Sequence, residues 1–368
     1  MPKINSRTRA FASPGKYIQG PGVLDNLERY TRVYGNRVSI IIDGFLYENI
    51  KTQLNGKYTE NTRIKYLKFG GECSMGEINR VKADSEDISS QVIVGIGGGK
   101  TLDTAKAVAH MLLVPVIIVP TAASTDAPCS AFSVLYTDEG VQKDCLYYKR
   151  NPEMVLVDTN IILKAPVRLL VSGMGDALST YFESEANHAS DTANYVGEGY
   201  RRTKLGLVLS KHCYETLLAK GVHAKNALEN GCCTEALEDI IEANILLSGL
   251  GFENTGCAGA HGIHNGLTAL PETNKYFHGE KVAFGTICQL ILENQPSILI
   301  EEVFEFCISV GLPVTLSDIG VEETNEKIRI IAKHSLKDML AEPFIVTENM
   351  LFNAIKAANG LGKMYKRG

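Results

Sequence analysis

Histidine is scarce in this chain, eight in 368 residues, yet three of the eight, His261, His264 and His278, lie close together. His261 and His264 are spaced i, i+3 and share one face of a helix. Imidazole beside carboxylate suits zinc or ferrous iron. A carboxylate is on hand in Ser172-Gly-Met-Gly-Asp176-Ala-Leu-Ser-Thr-Tyr-Phe-Glu183. Asp176 with His261 and His278 would supply three protein ligands and leave one position open, the pattern of a catalytic rather than a structural zinc. Spacing alone does not recruit Asp176, which lies far upstream. A lone histidine would read as an ordinary core or surface residue; the clustering of three argues for a metal.

The second chemical signal is a run of glycines. Val92-Ile-Val-Gly-Ile-Gly-Gly-Gly-Lys100 carries an apolar strand pattern into Gly97, Gly98 and Gly99, and Lys100 opens a helical one. Bare backbone lets a polyanion approach, and a helix N-terminus offers unpaired N–H groups and partial positive charge. A pyrophosphate is the natural guest. The dinucleotide fingerprint begun at Gly95 would need glycine at Lys100, and the G-x-x-x-x-G-K-[ST] loop would need it at Val94. A tight turn without a ligand is the plainer alternative, but three glycines sacrifice backbone entropy and pack nothing. Asp43 ends an earlier strand; a carboxylate there accepts from ribose hydroxyls and repels a 2′-phosphate, which favours NAD over NADP. In the loop Pro120-Thr-Ala-Ala-Ser-Thr-Asp-Ala-Pro-Cys-Ser130, Thr121, Ser124, Asp126 and Ser130 offer polar groups, equally readable as caps and turns.

Positioning these groups requires strands that end at the loops and helices that carry the ligands. Arg37–Ile42, Arg63–Phe69, Gln91–Ile96, Pro115–Val119 and Met154–Val157 read as buried strands, with a helix over Thr101–His110. That alternation predicts a mostly parallel sheet in an α/β domain. Beyond Pro166 the strand signals fade, and Leu169–Ala186, Thr203–Ala219, Glu235–Leu250, Glu301–Val310 and Glu348–Asn359 read as helices. The expected organisation is an α/β domain over residues 1–163 and an all-helical domain over 164–368. No repeat or low-complexity tract is visible.

Composition excludes several classes. Apolar residues make up 45% and charged residues 21%, so a large core is within reach. A net charge of −5 and scattered basic residues argue against nucleic acid. Nine cysteines, an odd number with no C-x-x-C pair, fit a reducing compartment. Met1–Pro14 is basic but lacks a signal-peptide apolar core, so a frayed arm is expected, with organelle targeting the weaker alternative. The longest apolar run, Met111–Val119, contains Pro115 and falls short of the roughly 20 residues that span a bilayer. A soluble, cytoplasmic protein without a membrane partner is expected.

Taken together, GIGGGKTLDTAKAVAH, PTAASTDAPCSAFSVLYTDEG, GMGDALSTYFE and AHGIHNGLTALP with FHGEKVAFGT resemble, in order, blocks of the glycerol dehydrogenases. These form a branch of the iron-containing alcohol dehydrogenase superfamily, whose fold is dehydroquinate synthase-like. The resemblance runs from about Pro14 to Pro313 and weakens over residues 188–234. It implies an active site in a cleft between the two domains and zinc on Asp176, His261 and His278. It places NAD against Asp43, Gly97, Gly98, Gly99, Lys100, Asp103, Thr121, Ser124, Ser130, Phe132 and Tyr136, with Phe132 standing where leucine is usual. Asp126 would contact substrate, and His264 would line the pocket or act as a weaker candidate proton acceptor. Iron-using relatives commonly carry a histidine four residues after the metal aspartate; here that position is Thr180, which favours zinc. A homo-oligomer, octameric in relatives, is implied.

The expected reaction is oxidation of glycerol to dihydroxyacetone by NAD, zinc lowering the pKa of the alcohol as it lowers that of water, from 15.7 to about 7. Three alternatives remain: a related diol or hydroxyketone oxidoreductase acting on 1,2-propanediol or 2,3-butanediol, a zinc lyase of the dehydroquinate synthase type, and a non-catalytic nucleotide-binding scaffold.

Overall fold

A computed structural model describes residues 7–367. The chain divides into two compact units. One comprises Ala12–Ala123 and Ala127–Ala165; the other takes the described residues up to Phe11, Ser124–Asp126 and everything from Pro166 on.

The first unit is built on six parallel strands. In chain order they are β1 (Tyr17–Gly20), β2 (Arg37–Ile42), β3 (Arg63–Lys68), β4 (Val92–Gly97), β5 (Val116–Pro120) and, after a hairpin, β8 (Met154–Asp158). They are laid side by side as β1-β8-β5-β4-β2-β3. β4, β5 and β8 are buried along their whole length, as is β2 from Val38 on. That is why they read as unbroken Val/Ile runs rather than alternating ones. Register pairs Ile41 with Gly95 and Gly95 with Ile118. A Cβ on Gly95 would come within 2.5 Å of the Ala105 side chain, so this glycine seats helix Gly99–Leu112 on the sheet. Strand order reverses direction at β2 and β4, and a switch point of this kind is where open α/β sheets leave a crevice beyond the strand ends.

Sequence reading missed two features of this unit. β1 is a four-residue edge strand beside β8, too short for periodicity to register. β6 (Phe132–Tyr136) and β7 (Gln142–Tyr147) form an antiparallel hairpin just after the polar loop Pro120–Ser130, where no strand was read.

The second unit is helical. Its main helices are Val167–Ser190, Lys204–Glu229, Glu235–Glu242, Ser248–Thr255, Gly259–Leu267, His278–Leu292, Ser297–Val310, Asn325–Ser335 and Glu348–Tyr365. The single helix expected over Glu235–Leu250 is interrupted by a π-helical turn, Ala243–Leu247. Such a turn inserts one residue and rotates the helical turns after it, a feature frequent beside functional sites. The frayed arm is corrected in part: Arg201 N donates to Thr8 O at 2.9 Å and Ala10 N to Arg201 O at 3.2 Å, tying the chain down from Thr8 onward. The first six residues of that arm lie outside the described residues. No described helix is long and apolar enough to cross a membrane.

Candidate active site

The helical unit brings its ligand candidates together by backbone contact. A Cβ on Gly279 would stand 1.8 Å from Ser172 O, and one on Gly175 would stand 2.4 Å from Gly279 O. With glycine at both positions, helices Val167–Ser190 and His278–Leu292 touch main chain to main chain. The residues beside those glycines are Asp176 and His278. Helix Gly259–Leu267 carries His261, and the N–H groups at its start have no helical partner. Side chains take them: Glu183 Oε1 accepts from Ala258 and His261, Glu342 Oε1 from Gly259, and Gln289 Oε1 from Ala260. Two of these acceptors are acids, which the helix dipole favours at that end.

Three donor atoms then face one another. Asp176 Oδ1 lies 3.1 Å from His278 Nε2 and 3.4 Å from His261 Nε2, and the two Nε2 atoms are 3.3 Å apart. Donors around a tetrahedral ion with bonds of about 2.0 Å are separated by roughly 3.3 Å. Asp176 Oδ1 is buried and accepts no hydrogen bond. An oxygen left in this state beside two nitrogens is what a cation would satisfy.

The surrounding hydrogen bonds fix the imidazole protons. His261 Nδ1 is 2.7 Å from Glu183 Oε2, so Nδ1–H donates to the carboxylate and Nε2 is the nitrogen left to face Asp176. Asn265 Nδ2 donates to Asp338 Oδ2, which turns Asn265 Oδ1 toward His264 Nδ1 at 3.1 Å. His264 therefore carries its proton on Nδ1, and its Nε2 accepts from His278 Nδ1 at 3.0 Å. That leaves His278 Nε2 as a lone pair facing Asp176. Burial holds the pKa of His264 well below that of free imidazole, aided by the neighbouring His278 and Lys281, so the neutral tautomer persists. Both ring nitrogens of His264, read from the sequence as a substrate-lining group, are thus engaged by protein.

Glu183, Cys257 and His261 form a second group of compatible atoms. Glu183 is already saturated by two backbone N–H groups, the His261 ring and Ser179 Oγ. It is a positioning carboxylate, and the Asp176 group is the better cation site. The seven-residue step from Asp176 to Glu183, two turns of one helix face, was the signal in the sequence that could have identified it.

Asp126 belongs to the helical unit with Ser124. Its backbone N–H points at Asp176 Oδ2 at 3.4 Å, and its Oδ2 accepts from Ser248 Oγ at 2.7 Å. Ser248 comes directly after the π-helical turn and also meets Thr180 Oγ1 at 2.8 Å. Thr180, four residues after Asp176, is occupied in this contact. Burial, then the adjacent Asp176 charge, pushes the Asp126 carboxyl well above the ordinary carboxylate range.

In the sheet unit, Asp43, the glycine turn and Thr121 meet at the carboxyl ends of β2, β4 and β5. Asp43 Oδ1 accepts from Phe45 N at 2.9 Å and Oδ2 from Thr101 Oγ1 at 3.4 Å. Thr121 N donates to Gly97 O. Gly98 starts helix Gly99–Leu112 without a side-chain cap, and nothing lies within 4 Å of where its Cβ would be. This open, uncapped helix start suits a phosphate group. Lys100 is paired with Glu72 and lies 4.6 Å from the centre of the Tyr136 ring. The remaining sequence candidates are drawn into structural work. Asp103 pairs with the buried Lys106 at 2.8 Å and accepts from Val134 N. Lys106 also donates to the carbonyls of Ala127 and Phe132, and Ser130 Oγ donates to Ala127 O.

Residues 14–159 match the iron-containing alcohol dehydrogenase family. The chain is 48% identical to a glycerol dehydrogenase of Thermotoga maritima, with 96% of this chain and 97% of that protein covered. The chain belongs to the iron-containing alcohol dehydrogenase family. It is 46% identical to a glycerol dehydrogenase of Citrobacter freundii over 97% of this chain and 99% of the relative. The crystal structure of a probable glycerol dehydrogenase from Sinorhizobium meliloti superposes with a TM-score of 0.92 at 45% identity, covering 97% of this chain and 99% of that one. Like its relatives in the iron-containing alcohol dehydrogenase family, the chain is an oxidoreductase, and the family implies a nicotinamide dinucleotide and a metal ion.

Proposed function

We propose that the chain oxidises glycerol to dihydroxyacetone with NAD, assisted by zinc on Asp176, His261 and His278. The observation that carries this reading is the triangle of one orphaned carboxylate oxygen and two imidazole lone pairs beside Asp126. When bound, the ion would act as a Lewis acid that lowers the pKa of the alcohol, and NAD would accept the hydride at its nicotinamide. The protein's share is positional. Glu183 holds the His261 ring, and the chain Asp338–Asn265–His264 holds the His278 ring, so both nitrogens are presented without reorganisation. Asp126, steadied by Ser248, would hold a second hydroxyl of the substrate and so select diols over simple alcohols. Asp43 and the open start of helix Gly99–Leu112 would receive the ribose and pyrophosphate. Absence of a histidine at Thr180 supports zinc over iron. Nine free thiols support a reducing, cytoplasmic setting; a homo-oligomer is the expected assembly.

The test is NADH production from glycerol, 1,2-propanediol and 2,3-butanediol, before and after chelation and with zinc or ferrous iron restored. Glycerol should give the highest kcat/KM and zinc the fuller recovery. A higher kcat/KM with another diol moves the substrate assignment to that diol. Turnover without net NADH would indicate a lyase, and full activity without metal would remove the ion from the mechanism.

A further inference from the structure

Away from the metal group, the helical unit holds a cavity of about 370 Å³ where the tied-down arm meets the start of helix Lys204–Glu229. Among its lining residues, Arg7, Arg9, Arg201, Arg202 and Lys204 set five full cations against one carboxylate, Asp191. The cations are held there by backbone. The Arg9–Arg201 bridge and the bonds from Ala10 to Arg201 and Arg201 to Thr8 fix the arm, and Asn194 Nδ2 clamps the carbonyls of Ala10 and Arg201.

Arg202 is only 6% exposed. Its Nη1 donates to Thr192 O and its Nη2 to Asp191 Oδ1, both at 3.1 Å, while its Nε is buried with no hydrogen bond. Arg201 Nε, 3.4 Å from the same Asp191 oxygen, is likewise buried and unbonded. One carboxylate therefore serves two guanidinium groups and fully satisfies neither. Helix Lys204–Glu229 adds the partial positive charge of its N-terminus and has no acidic residue in its first turn. Burial, opposed by Asp191 and reinforced to a smaller degree by Arg201 and Arg9, lowers the Arg202 pKa.

We propose that this cavity binds a small phosphate-bearing anion, held by the guanidinium groups of Arg201 and Arg202 with Arg9 and Lys204 adding charge. Guanidinium forks match phosphate oxygens in geometry as well as charge. The volume is near the lower end of small-molecule pockets, roughly 300 to 1,000 Å³. It suits a phosphate with a short organic group rather than a dinucleotide.

Isothermal titration of the full chain decides it, at constant ionic strength and with saturating NAD to block the glycine turn. The probes are inorganic phosphate and glycerol 3-phosphate, with chloride as control. One site is expected for phosphate, weakened at least tenfold in the Arg9→Ala/Lys204→Ala double variant, whose thermal midpoint without phosphate and whose NADH production stay at the parent level. Arg202→Gln should abolish the phosphate-dependent rise in thermal midpoint; if it does not fold, the exposed pair still decides. Preference for the ester would assign the site to a phosphorylated small molecule, and equal affinity to the phosphate group itself. No binding at millimolar phosphate, or equal affinity in the double variant, overturns the proposal.

Discussion

Glu183 is the residue on which the metal group turns. Its two oxygens accept two backbone N–H groups and the His261 ring, so it sets both the start of helix Gly259–Leu267 and the orientation of a candidate ligand. Glu183→Gln keeps the shape but loses the charged acceptor. Zinc affinity, measured by chelator competition, should fall about 10- to 100-fold, and an unchanged affinity would show that His261 is oriented by something else. Asp126 sits one step further out. Burial and the neighbouring Asp176 disfavour its charged form, and a hydrogen bond between neutral groups contributes about 0.5–1.5 kcal/mol, so Asp126→Ala should raise KM for glycerol by roughly two- to tenfold while leaving KM for NAD nearly unchanged. An equal rise in both would contradict a substrate contact. His261, His264 and His278 were conspicuous in the sequence because histidine is rare; Glu183, Asn265 and Asp338 were not, because acids and amides are common and the contacts of Glu183 with His261 and of Asp338 with Asn265 span distant parts of the sequence.

At the scale of elements, Gly175 and Gly279 permit the contact that places Asp176 beside His278. Gly279→Ala would set a methyl group against the Ser172 carbonyl, where neither backbone has room to yield. Overpacking of this kind costs about 1–3 kcal/mol. Denaturant unfolding should show a loss of at least that size, with weaker metal retention in the folded fraction. A stability within experimental error of the parent would mean that the helices separate easily. The strands β2, β4, β5 and β8 were legible because burial on both faces demands continuous Val and Ile. The hairpin β6–β7 was not legible, since it is held by the Asp103–Lys106 pair reaching from a helix. The π-helical turn at Ala243–Leu247 was hidden as well, because its residues carry an ordinary helical pattern.

At the scale of the whole molecule, a bound metal would join helix Val167–Ser190 to the later helices Gly259–Leu267 and His278–Leu292, and NAD would engage the strand ends of the other unit. Ligand binding to the folded state stabilises by RT ln(1 + [L]/Kd), about 2.7 kcal/mol at a hundred times Kd. Hydrogen exchange should therefore show zinc-dependent protection concentrated in helices Val167–Ser190, Gly259–Leu267 and His278–Leu292, and NAD-dependent protection around Gly97–Lys100. Uniform protection by either ligand would contradict this division of labour.

Read alone, the chain of residues already determined the α/β-then-helical order, the glycine turn at a helix start, and three ligand types of the right chemistry, because each of these is a local pattern of residue type and spacing. Only the tertiary structure decided that Asp176 joins the two histidines, that Glu183 and His264 hold the rings of His261 and His278, and that Asp103 is drawn to the hairpin and Ser130 to Ala127 and Lys106. Those outcomes depend on which backbones approach closely enough for a side chain to reach its partner, and that distance is set by packing between elements remote in sequence.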